Sequence, residues 1–122
     1  MENEDVPQQV QDQLGRLQQL QSQFQMIQQQ RQQVELRLKE VDEALEELKN
    51  AKDKATIYKS VGSILIKAEG KAAIVKELET TRESLDLRKN TLHKQEGRTR
   101  EKLSEMQSKV QNSLKTGVAG NS

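Results

Sequence analysis

At 122 residues and 13.9 kDa the chain has room for one domain-sized unit, yet only 32% of it is hydrophobic and its two aromatic residues are Phe24 and Tyr58. Globular domains typically hold about 45–50% apolar residues, so the large side chains of a conventional core are missing. With 20 basic and 19 acidic residues, a net charge of +1 and a mean hydropathy of −0.94, what remains is a disordered chain or a long-helix protein with a narrow apolar stripe.

The first element in chain order is a long helix over 7–49. Pro7, the only proline, sits where a first helical turn tolerates it, and Asp5 precedes it as an acidic side chain near unsatisfied N–H groups. No strong breaker follows, Gly15 being the one weak point. Apolar residues alternate at spacings of three and four: Val6, Val10, Leu17, Leu20, Phe24, Ile27, Val34, Leu38, Val41, Leu45 and Leu48, with Gln13 and Arg31 as polar interruptions. That is the seam of a coiled coil rather than the wider stripe of a helix on a globule. Residues 8–33 hold 14 glutamines. The heptad persists through them, so the tract reads as a polar, nearly uncharged helix surface and not as disorder.

Residues 56–68, TIYKSVGSILIKA, change character. Ile57, Tyr58, Val61, Ile64, Leu65 and Ile66 are strand formers, and Gly62-Ser63 fits a two-residue type II′ loop. The implied register puts Val61 opposite Ile64 and Lys59 opposite Ile66. One face then carries Ile57, Val61, Ile64 and Ile66, and the other Tyr58, Ser60, Leu65 and Lys67. A lone two-stranded hairpin is marginal in water and leaves both edges unpaired. The expectation is an obligate oligomer held together at its strands through Ile57, Tyr58, Val61, Gly62, Ile64, Leu65 and Ile66. A plain interhelical linker would not need so many β-branched residues.

A second helix is expected over 71–115, followed by a mobile tail at 116–122 that contains two glycines. Val75, Leu78, Leu85, Leu92, Leu103, Met106 and Val110 keep a seam phase that Arg82, Lys89, Glu96 and Thr99 interrupt, and Gly97 is its weak point. The two helices are nearly equal in length, about 65 Å each at 1.5 Å per residue. They are expected to pair antiparallel, and a register starting from Leu48 against Val75 sets Leu45 against Leu78, Leu38 against Leu85, Phe24 against Thr99 and Leu17 against Met106. Charge agrees: residues 1–54 carry 7 basic and 11 acidic side chains, and residues 70–115 carry 11 and 7. Opposite signs favour an intramolecular hairpin of helices over a homodimer of like ones. The fold class is mainly α, an antiparallel two-helix coiled coil with one β-hairpin between the helices, forming a single domain over 1–122.

Enzymatic function is not expected. The chain has no Cys, and its only His is His93, so neither a thiolate metal site nor a nucleophile–base pair can be built. Gly70-Lys71 is not a phosphate loop, since Leu65 stands five residues before Gly70 and Ala72 follows Lys71. No cofactor, metal, nucleic-acid partner or membrane partner is expected. The polar start MENEDVPQQ does not read as a secretory signal, and an intracellular, cytoplasmic location is the expectation.

Several segments together resemble the β class of prefoldin subunits in its archaeal form. They are Pro7-Gln8-Gln9-Val10, the acidic Ala44-Leu45-Glu46-Glu47-Leu48, the hairpin Ile57-Tyr58-Lys59-Ser60-Val61-Gly62 with Ile64-Leu65-Ile66-Lys67, and, in the second helix, Leu85, Leu87, Arg88 and Lys94-Gln95-Glu96. The resemblance covers nearly the whole chain. A single strand pair is similar to the β class, whereas the α class carries two hairpins. The resemblance implies a jellyfish-shaped hexamer of two α-class and four β-class chains, with hairpins joined into a β-barrel platform. It also implies capture of unfolded polypeptides at the coil tips without ATP, and delivery to a group II chaperonin. The residues expected at the tips are Val6, Val10, Leu14 and Leu17 with Leu20, and Leu103, Met106, Val110 and Leu114. Leu14 falls off the seam phase and is expected to be exposed. The competing reading is a structural coiled-coil tether that binds no client.

Overall fold

The computed structural model describes residues 7–121, with side chains over 7–115. Its elements follow the order helix α1 (Gln8–Asn50), strand β1 (Tyr58–Val61), strand β2 (Ile64–Lys67) and helix α2 (Lys71–Asn121). The chain divides into two compact units. Among the described residues, the first combines 7–30 with 92–121, and the second is 31–91.

Helix α1 begins because the Pro7 carbonyl accepts hydrogen bonds from the N–H groups of Val10 (3.0 Å) and Gln11 (3.1 Å), so Pro7 stands just before the first turn. Asp5 and Val6 lie outside the described residues. Helix α2 runs six residues past Lys115, where the sequence reading ended it and placed a tail. Gly117 and Gly120 each weaken a helix by about 1 kcal/mol relative to Ala, but no proline stops the backbone.

Within the first unit, Val10, Leu103 and Val110 are buried, and Leu17, Leu20, Phe24, Ile27 and Met106 are half-buried. Thr99 is also buried, and its hydroxyl donates to the Gln95 carbonyl at 2.8 Å. That bond satisfies the one polar side-chain atom that this buried seam residue would otherwise strand. Glu96 is buried, at 5% exposure, and Arg100 reaches its carboxylate at 3.4 Å. Gln13 holds a seam position, where its Oε1 is buried with no hydrogen-bond partner among the described groups.

Within the second unit the seam shows the same logic: Val34, Leu38 and Val41 are buried and Leu85 is half-buried. Arg82 departs from the seam. It is exposed and donates to Asp42, next to the Val41 that the antiparallel register sets opposite it. That hydrogen bond and the carboxylate's charge hold the guanidinium further above its already high range. Lys89, half-buried, pairs with Asp86 at 3.4 Å.

The two strands pair antiparallel as Tyr58↔Lys67, Lys59↔Ile66, Ser60↔Leu65 and Val61↔Ile64. Gly62 has φ of 61°, and no residue other than glycine has positive φ among the described residues. Positive φ at the first loop position alone matches a type II′ turn and excludes type I′, which needs it at both. The ladder gains one more bond from the Ala68 N–H to the Ile57 carbonyl at 2.8 Å. Two lysines tie the hairpin and its approach to the helices. Lys59 Nζ lies 3.1 Å from Glu77 of α2, and Lys71 Nζ donates to the Ala51 carbonyl at 2.8 Å.

Candidate functional site

Both strands are exposed at every residue. Tyr58 (61%), Ile64 (63%) and Leu65 (70%) stand out, and Val61 and Ile66 are each 48% exposed. On the pairing given above, Val61, Ile64 and Ile66 share one face with half-buried Ile57, while Tyr58 and Leu65 share the other. Both faces therefore present large apolar side chains to water, and both edges are unpaired. Five such residues exposed on eight strand positions form an apolar surface that the described residues of the chain leave uncovered. All seven residues expected at the oligomer contact are thus brought into one hairpin, with Gly62 at its turn.

The residues expected at the tips divide into three groups. Leu14 (37% exposed) and Leu114 (41%) lie open. Val10, Leu103 and Val110 are buried in the seam, and Leu17, Leu20 and Met106 are half-buried there. In this closed coil these side chains are turned into the seam and are not open to solvent as Leu14 and Leu114 are. Val6 lies outside the described residues. The first unit adds one apolar residue that the sequence reading did not select, Met26, which is 56% exposed. The signal was present, since Met26 precedes Ile27 and falls off the seam phase inside a run of glutamines.

No helix among the described residues is long and apolar enough to cross a membrane. Among the described residues no cluster of three His, Asp or Glu side chains could hold a metal ion.

A thin two-helix coil joined by an uncovered strand pair defines an assembling subunit, not a self-sufficient domain. Comparison with known proteins agrees. The family model for prefoldin subunits matches residues 11–117. A curated prefoldin β subunit of Thermococcus gammatolerans is 45% identical over 117 residues, covering 96% of this chain and 99% of the relative. One from Archaeoglobus fulgidus is 44% identical over 110 residues, covering 90% and 94%. Among solved structures, the prefoldin β subunit from Thermococcus strain KS-1 superposes with a TM-score of 0.78 at 40% identity, covering 89% of this chain and 95% of that one. The β2 subunit from the same strain gives 0.67 at 27% identity, covering 75% and 97%. This chain belongs to the prefoldin family. The relatives named above are β subunits, and this chain's role is that of a chaperone subunit rather than a tether.

Proposed function

We propose that this chain is the β-class subunit of a nucleotide-independent holdase that keeps unfolded polypeptides in solution by contacts in its first unit. The observation that carries the reading is the exposure of Leu14, Met26 and Leu114 in that unit, beside seam residues whose pairing is interrupted by polar Gln13 and Ser113. An unfolded chain offers apolar side chains in no fixed geometry, and flexible methionines with scattered leucines suit such a ligand. Helix ends open more readily than helix middles, which lets Val10, Leu17, Leu103, Met106 and Val110 join the contact.

Assembly completes the reading. The exposed hairpin joins hairpins from other copies and from an α-class subunit with two hairpins, in an α2β4 hexamer whose strands close into a barrel platform. Closure removes the free edges that a single hairpin leaves. The assembly works in the cytoplasm, performs no catalysis and passes its client to a group II chaperonin.

The test is removal of residues 1–16 and 107–122 from the chain in its native complex. The truncated complex is expected to keep its mass but to lose suppression of aggregation of a denatured protein diluted from guanidinium, without nucleotide. A truncated complex that suppresses aggregation as the full one does would overturn the assignment of the contact to these segments.

A further inference from the structure

The glutamine tract has a consequence for charge in the first unit. A groove of about 590 Å³ runs there between residues 16–26 of α1 and 102–109 of α2. Half-buried Leu20 and Met106 form its apolar floor, and Met26 stands exposed on its wall. On the α2 side the rim carries Lys102 and Lys109 around a single Glu105. In an antiparallel coil such flanking lysines usually meet carboxylates of the other helix. Here α1 offers Gln19, Ser22 and Gln23, and it adds a further cation, Arg16. Among the described residues, Arg16, Lys102 and Lys109 belong to no ion pair.

We infer that this groove binds a short stretch of unfolded polypeptide in which apolar residues alternate with carboxylates; the inference rests on the holdase reading and adds a preference to it. The apolar floor takes the apolar side chains, and the three cations with one opposing carboxylate favour acidic neighbours. Residues 16–26 span about 15 Å of helix, which matches about five residues of extended chain at 3.3 Å each. Replacing the tract's amides by carboxylates would neutralise the rim, so the neutrality of the tract is what keeps the cations available.

The test uses the native complex and two fluorescein-labelled peptides, alternating leucine with aspartate or leucine with asparagine. Anisotropy at about 50 mM salt is expected to show the aspartate peptide binding about fivefold more tightly, the sum of two exposed ion pairs. That preference falls away near 1 M salt, where the screening length is about 3 Å. The double variant Lys102→Gln/Lys109→Gln is expected to remove the preference, and Gln23→Glu independently to reduce it, with helical content unchanged. Equal affinity of the two peptides, or a preference undiminished in both variants, would overturn the inference. So would equal binding of an RNA oligomer of the same charge, which lacks the apolar side chains. Suppression of aggregation by the unaltered complex is measured alongside. A complex that holds client without preferring the acidic peptide loses only this inference, and one that holds no client loses the holdase reading with it.

Discussion

The guanidinium of Arg100 stands over the ring of Phe24, its central carbon 5.4 Å from the centroid, and the same side chain reaches buried Glu96 at 3.4 Å. Phe24 thus serves twice, as a half-buried apolar residue of the seam and as a face for a cation. Such a contact contributes about 0.5–1 kcal/mol at an exposed site. Phe24→Ala is expected to destabilise the coil by about 2 kcal/mol, since the residue is half-buried. A double-mutant cycle with Arg100→Ala, read by thermal or urea unfolding, is expected to give a coupling near the cation–π value. Additive losses would show that the two side chains do not act on each other.

Gln13 shows the opposite situation, a seam position whose buried carbonyl oxygen is unpartnered among the described groups. Gln13→Leu removes that cost and adds apolar contact, and it is expected to raise stability by about 1 kcal/mol. If opening of the helix ends serves client contact, the same variant lowers aggregation suppression at 25 °C while raising the unfolding midpoint.

Gly15 and Gly97 lie within helices, and a Cβ built at either meets no atom within 4 Å. Gly15→Ala and Gly97→Ala are each expected to stabilise by about 1 kcal/mol, through propensity alone. Unfolding by urea checks this, and a loss at either position would mean that the glycine answers a packing need.

Ile64→Lys with Ile66→Lys places two charges on the face that also holds Val61 and Ile57. Native mass spectrometry is expected to show loss of the assembled complex, while the helical signal of the separated chains persists. A complex of unchanged mass would show that this face is not the contact.

Much of this architecture could be read from residue order because its determinants are local or periodic. A coil seam repeats at three and four, so Val10, Leu17, Val34, Leu38 and Val41 could be assigned inward positions without coordinates, and all five are buried or half-buried. The hairpin turn was legible for a similar reason, since Gly62 followed by Ser63 suits one turn type. What periodicity does not carry is the reach of long side chains. Arg82 occupies a seam phase yet leaves the seam for Asp42, and Arg100 lies off phase yet covers Phe24. Both depend on distances between helices. The candidate contact for clients was legible only in part. Leu14 could be placed outside the seam from its phase, whereas the groove beside Met26 needs residues from both helices and so becomes visible only in three dimensions.

The central claim is that clients are held by exposed apolar residues of the first unit rather than by exposed apolar residues in general. The second unit supplies the control, because Leu36 (59%) and Leu87 (64%) are more exposed than Leu14 or Leu114. A photo-crosslinking residue placed singly at each of the four positions in the native complex, with a denatured protein as client, tests the claim most directly. Adducts to client from positions 14 and 114, and few from 36 and 87, are the predicted result. Adducts in proportion to exposure, strongest at 36 and 87, would contradict it.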